Sequence, residues 1–140
     1  MYKRILVAIE NSDADRTILA HIRELARLTG GELLLVHVAD GWAARHFDDL
    51  NLRESEEMRA DREYLASIES TLRSEGFVVR TSLAKGDPAT ELIRVAEAEG
   101  SDLIARSTHG HRFLADVVKG TTVDRVRHLV KIPVLLLRAQ

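Results

Sequence analysis

Short apolar runs of strand length alternate along this chain with longer segments whose apolar residues recur at helical spacing. No other feature constrains the fold as much. Ile5-Leu6-Val7-Ala8-Ile9 and Leu33-Leu34-Leu35-Val36-His37-Val38 are nearly continuous in apolar residues, the mark of strands covered on both faces. Phe77 to Leu83 alternates more, which suits a sheet edge. Leu103-Ile104-Ala105 and Val134-Leu135-Leu136-Leu137 complete a set of five predicted strands.

Between them lie helical patterns. One starts at Ser12, with Asp15 three residues on as a capping-box-like pair, carries Ile18, Ile22 and Leu25, and ends at Gly30-Gly31. Asp40 to Leu52 reads as a loop, and Arg53 to Glu75 as a charged helix with Met58, Leu65, Ile68 and Leu72 on one side. Its run Arg53 to Arg62 is a solvated face with i,i+4 pairs. Asp87-Pro88 opens a third helix, with Leu92, Val95 and Ala96 inward and Gly100 at its end. Val123, Val126 and Val130 mark a last one. The expected fold is α/β: a doubly wound, Rossmann-like, five-stranded parallel sheet with helices on both faces, as one domain over residues 1–140.

Composition narrows the function classes. The chain has no cysteine, so disulfides and thiolate metal sites are excluded. A net charge of −2 offers no global field for nucleic acid. One Trp, two Tyr and three Phe are too few for a base-stacking platform. The N-terminus lacks a signal-peptide pattern, and no run approaches the roughly 18 apolar residues of a membrane span. The expectation is a cytoplasmic protein without nucleic-acid or membrane partners.

In doubly wound sheets, ligands bind beyond the carboxyl ends of the strands where the strand order reverses. Glu10 to Ser12, Val38 to Asp40 and Arg106 to Gly110 are the segments expected there. The stretch after the fourth strand carries the chemistry. It reads Ser107-Thr108-His109-Gly110-His111-Arg112, and nine residues separate Gly110 from Gly120, which is followed by Thr121-Thr122. Glycines let backbone approach a ligand. A helix start capped by Thr121 or Thr122 presents free N–H groups to phosphate, and His111 and Arg112 add positive charge. On spacing alone, a strand end and a helix start that happen to carry glycine explain the segment equally well.

Here the sequence resembles the universal stress protein family, whose nucleotide-binding members carry Gly, two residues, Gly, nine residues, then Gly and Ser or Thr. The matching residues are Ser107-Thr108-His109-Gly110 and Gly120-Thr121. The resemblance extends through Ile5 to Ile9, Leu35 to Val38, Gly86-Asp87-Pro88 and Ile132 to Leu135. It implies an adenine-nucleotide-hydrolase-like fold and an ATP site. Ala8, Ile9, Glu10 and Val38 would line adenine and ribose, with Ser12 beside them. Arg106, Ser107, His109, Gly110, His111, Arg112, Gly120, Thr121 and Thr122 would wrap the phosphates, with Mg2+ accompanying them. Two residues depart from the family's pattern: Ser107 stands for the first glycine and Glu10 for the usual aspartate. The resemblance further implies a homodimer joined through Val134 to Leu137, a non-catalytic sensor role and an unidentified signalling partner. The alternative is an interaction module of the same fold that binds no nucleotide.

Enzymatic readings are weaker. Thr108-His109-Gly110-His111 ends like a nucleotidyltransferase signature but follows the wrong strand. Ser12 and Ser107 have no adjacent base or nucleophile elbow. The acidic pair and aspartate acceptor of a receiver domain are missing, as is the Ser-Gly-Gly loop of an ATP-dependent ligase. A metal site would need His37 or His128 to join His109 and His111 through folding.

Overall fold

The computed structural model describes residues 1–40, 51–108 and 131–140. They form a five-stranded parallel sheet built from β1 (Arg4–Ala8), β2 (Glu32–Asp40), β3 (Val79–Gly86), β4 (Leu103–Thr108) and β5 (Val134–Arg138), in the order β3-β2-β1-β4-β5. The helices are α1 (Ala14–Thr29), α2 (Asn51–Ser74) and α3 (Pro88–Ala98). The helix expected at Val123 to Val130 lies outside the described residues.

Period-two alternation explains the apolar strands. Ile5, Val7 and Ile9 of β1 and its exit face α1 and α2, together with Leu33 and Leu35 of β2 and Leu103 and Ala105 of β4. Leu6 and Ala8, Leu34 and Val36, and Ile104 point the other way, toward Ala89, Leu92, Val95 and Ala96 of α3. Two covered faces require apolar residues at both parities, so the runs are continuous. The helices supply matching stripes: Ile18, Leu19, Ile22 and Ala26 from α1, Leu65 and Leu72 from α2. Leu25 and Ile68 pack only at the margin.

Several boundaries differ from the expected ones. β3 begins at Val79 rather than Phe77 and continues through Lys85 to Gly86, because its ladder with β2 extends to the Asp40–Gly86 pair. Lys85 is polar, and a polar residue on an edge strand looks like a strand end in sequence. β2 likewise reaches Asp40, and α2 begins at Asn51 rather than Arg53, so both ends of the expected Asp40 to Leu52 loop are regular structure. β4 continues past Ala105 to Thr108, which places Arg106 and Ser107 in strand rather than loop. α1 starts at Ala14, two residues after Ser12.

Caps and turns hold the frame. The Asp87 carboxylate accepts from the Thr90 backbone N–H at 3.0 Å, with Pro88 at the first position of α3, as the Asp-Pro pair predicts. Gly30 closes α1 in the left-handed conformation at φ 69°. The end of α2 is tied to α1 by a forked pair, with Arg23 Nε donating to Glu75 at 2.8 Å and Nη2 at 3.2 Å. These bonds hold the Glu75 carboxyl below its ordinary value, outweighing the opposing effect of desolvation.

A depressed folded-state pKa stabilises the fold above the unfolded value and loses that effect as pH falls through the folded one. The stability gap between wild type and Glu75→Gln should therefore be full at neutral pH and close below about pH 4. Urea unfolding across that range checks it, and a pH-independent gap would contradict the linkage.

Candidate functional site

The strand order turns at β1. The chain steps outward from β1 through β2 to β3, then crosses back to place β4 and β5 on the other side. The carboxyl ends of β1 and β4 therefore part at a topological switch point.

The loop leaving β1 is held by one side chain. Asp15, in the first turn of α1, is 2% exposed, and its carboxylate accepts from three successive backbone N–H groups. Glu10 donates at 2.9 Å, Asn11 at 2.9 Å and Ser12 at 3.2 Å. Tyr64 of α2 donates its hydroxyl to the same carboxylate at 2.7 Å. The bond to Ser12 is the reciprocal half of the expected capping pair; the other three were not legible in the sequence. Ser12 Oγ accepts from Ala14 N–H at 3.3 Å, and the Asp13 N-cap makes no side-chain capping bond. Asn11 takes φ 62°, a left-handed conformation that asparagine tolerates better than most residues.

Burial first, and then the bond to Asp15, push the Tyr64 hydroxyl well above its ordinary pKa. The hydroxyl therefore acts as a donor throughout the physiological range. Tyr64→Phe should cost about 1.5 kcal/mol, the low end for a hydrogen bond to a charged group, since Asp15 keeps its backbone donors. Chemical denaturation measures it, and an unchanged midpoint would show that Asp15 does not depend on the phenol.

Helix α2 grips the loop a second time. Asn11 Nδ2 donates to Asp61 at 3.1 Å, and His37 Nε2 faces the other oxygen of Asp61 at 3.2 Å. His37 Nδ1 lies 2.8 Å from the Ile9 carbonyl oxygen. Both ring nitrogens of His37 are thus engaged by the scaffold.

Above this frame lies a cleft of about 200 Å³, lined by Ala8, Ile9, Glu10, Val36, His37, Val38, Pro88, Leu92 and Arg106. Five of the expected site residues meet there: Ala8, Ile9, Glu10, Val38 and Arg106. Val36, His37, Pro88 and Leu92 were not anticipated. Their available signals were the β2 periodicity and the Asp87-Pro88 helix start. Apolar side chains form most of the lining, with a charged pair beside them. Arg106 Nη2 donates to Glu10 Oε1 at 2.8 Å, with both side chains largely buried. Arg106 Nε and Nη1 are buried without a hydrogen-bond partner among the described residues.

Ser12 and Ser107 do not line the cleft. Ser107 is 2% exposed, and its Oγ donates to the Ala14 carbonyl at 2.7 Å, joining β4 to the start of α1. Its backbone pairs in strand register with Leu137, and among the described residues only Tyr2 and Asn11 are non-glycines at positive φ. Serine therefore meets no conformational penalty at this position. His109, Gly110, His111, Arg112, Gly120, Thr121 and Thr122 lie outside the described residues, as does His128. Among the described residues no group of His, Asp and Glu is placed to hold a metal ion, and no helix is long and apolar enough to cross a membrane.

Comparison with known proteins gives this arrangement a lineage. Universal stress protein MJ0577 of Methanocaldococcus jannaschii is 26% identical over 155 residues, covering 99% of this chain and 96% of that protein. The solved structure of MJ0577 superposes with a TM-score of 0.85 and covers 100% of this chain and 98% of its own. A universal stress protein from Archaeoglobus fulgidus, solved in complex with dAMP, has TM-score 0.71 and 24% identity, covering 96% of this chain and 97% of that one. Another, solved in complex with cAMP, has TM-score 0.68 and 15% identity, covering 99% and 98%. With the Usp family model matching residues 1–138, the chain belongs to the universal stress protein family.

Proposed function

We propose that the cleft at the ends of β1, β2 and β4 binds an adenine nucleotide, ATP in the first instance, and that the protein is a non-catalytic nucleotide sensor. The observation that carries this reading is the pairing of an apolar floor with the Glu10–Arg106 pair at the switch point. Ala8, Val36, Val38, Pro88 and Leu92 offer a surface for a planar base. Glu10 is the hydroxyl acceptor for the sugar. The cleft is smaller than the roughly 300–1,000 Å³ of sites that enclose a whole drug-sized ligand. It accordingly takes the nucleoside end, and the phosphates extend toward Gly110 to Thr122, with Mg2+ bound to them rather than to the cleft. Occurrence of dAMP and cAMP in proteins of this fold supports the reading.

The nucleotide state is read out through a homodimer. β5 is an edge strand, and its residues are only partly covered: Leu136 is 36% exposed, while Leu135 and Leu137 pack at the margin of the core. Pairing with a second copy along residues 134–137 would protect that apolar edge. The signalling partner is a further protein, met in the cytoplasm.

Thermal unfolding with and without millimolar ATP and magnesium tests the proposal. At a hundredfold excess over the dissociation constant, ATP should add about 2.7 kcal/mol of stability. Gly120→Val should abolish the shift with the fold retained. No shift with any adenine nucleotide would favour the second reading, an interaction module without nucleotide. One observation speaks for that alternative: the Glu10 carboxylate is already engaged by Arg106.

A further inference from the structure

We infer that Arg106 makes the cleft selective for an adenine nucleotide bearing a phosphate on its ribose, at the 2′ or 3′ oxygen, over one with free ribose hydroxyls. The inference rests on the adenine-nucleotide reading above and, within it, ranks a ribose-phosphorylated nucleotide above ATP, whose ribose hydroxyls are free.

The chemistry begins with Arg106 itself. A guanidinium has donors and no acceptor, and it stays charged at any relevant pH. Among the described residues, Glu10 at 2.8 Å satisfies Nη2 of Arg106, while Nε and Nη1 are buried and unpartnered. Buried donors without acceptors are costly, and few persist in folded proteins without a purpose. Arg106 lines the cleft that the sheet topology favours for a ligand, and these two nitrogens lie covered beside it.

Position decides which part of the ligand meets them. Arg106 belongs to β4, yet its bond to Glu10 pulls the guanidinium toward the end of β1, where the sugar lies in the proposed site. A carboxylate standing alone at a ribose accepts hydroxyl hydrogens and repels phosphate. An arginine at the same place accommodates a ribose phosphate, the distinction that separates the two classes of dinucleotide site. This chain has both groups, joined. Arg106 offsets the charge of Glu10 and still has two nitrogens to offer. Both are covered in the free chain, so a phosphate oxygen meets them as the guanidinium turns on its flexible stem. Charge-assisted bonds from guanidinium to phosphate are among the strongest available.

Among the described lining residues no other cation competes for this role. His37 is the second ionisable nitrogen base in the lining, and its ring nitrogens face the Ile9 carbonyl and Asp61.

Calorimetric titration of the full chain with three ligands at fixed ionic strength tests the inference. ADP, adenosine 2′,5′-bisphosphate and adenosine 3′,5′-bisphosphate carry the same number of phosphates and differ in where the second one sits. One of the bisphosphates should bind about tenfold tighter than ADP, or better, and whichever it is identifies the oxygen. Arg106→Met, similar in length and without donors, should bring that ratio to about one. Bisphosphates no tighter than ADP in wild type would overturn the inference, whether or not the variant folds. So would a ratio that survives Arg106→Met. ADP binding without preference would leave the nucleotide reading standing, whereas no binding by any of the three would remove both.

Discussion

Asp15→Ala should lower the stability of this protein by about 3–4 kcal/mol and abolish nucleotide binding with it. The carboxylate is 2% exposed and accepts from Glu10, Asn11 and Ser12 backbone N–H groups and from the Tyr64 hydroxyl. Hydrogen bonds to an ionised acceptor contribute about 1.5–3 kcal/mol each when measured singly, and bonds sharing one acceptor are not additive. The estimate therefore sits well below their sum. Removing the side chain leaves the loop donors to find water in a partly buried corner and strands the Tyr64 hydroxyl. It also frees Asn11 from the geometry that holds it at φ 62°. Asp15→Asn should fall between, because an amide keeps one acceptor and turns a donor toward the loop. Urea unfolding of both variants measures the effect. A loss under about 1 kcal/mol for Asp15→Ala would mean that the loop N–H groups are satisfied without it.

Gly31→Ala should cost about 3 kcal/mol, at the upper end of overpacking effects. A Cβ built at Gly31 runs into the Tyr2 backbone carbonyl oxygen, and it also meets Thr29 Oγ1 at 3.0 Å and Ile5 Cδ1 at 3.2 Å. Side chains turn aside; a backbone oxygen at the entry to β1 moves only if the strand moves. The neighbouring Gly30→Ala should cost about 1 kcal/mol, since φ 69° is strained for alanine but an added Cβ meets only Lys3 Nζ, at an ordinary contact distance of 3.5 Å. The two glycines look equivalent as a helix stop in the sequence, so the asymmetry is a direct check on the packing of β1 against β2. Equal losses in thermal or urea unfolding would refute it.

The Gly30-Gly31 pair shows how far sequence reading reaches. Its helix-ending role was legible because a left-handed residue after a helix is a local requirement. The clash with Tyr2 was not, because it joins segments that only the folded sheet brings together. Ser107 shows the same division. It departs from the family's glycine, and it lies in extended strand and donates to Ala14. Nothing around residue 107 in the chain encodes that acceptor.

Local rules also misplaced strand ends in a consistent direction. β2, β3 and β4 each run further than their apolar cores, to Asp40, Gly86 and Thr108. Backbone hydrogen bonding continues past the last apolar residue as long as a neighbouring strand offers partners. The consequence for the site is concrete, since it sets Arg106 on a rigid strand pointing back at Glu10.

The amino-acid sequence by itself determined the layered α/β fold, the parallel sheet, the faces of its helices and the family. The fold, the sheet and the helix faces follow from periodicity and capping chemistry that act within a few residues, and the family from the resemblance of its motifs. Tertiary structure alone decided which polar groups meet. Glu10 and Arg106 are 96 residues apart and Asp15 and Tyr64 are 49 apart, yet each pair is within hydrogen-bond distance. A charged side chain in sequence carries no address. Its partner is chosen when the strand order turns at β1 and places the ends of β1, β2 and β4 around one cleft.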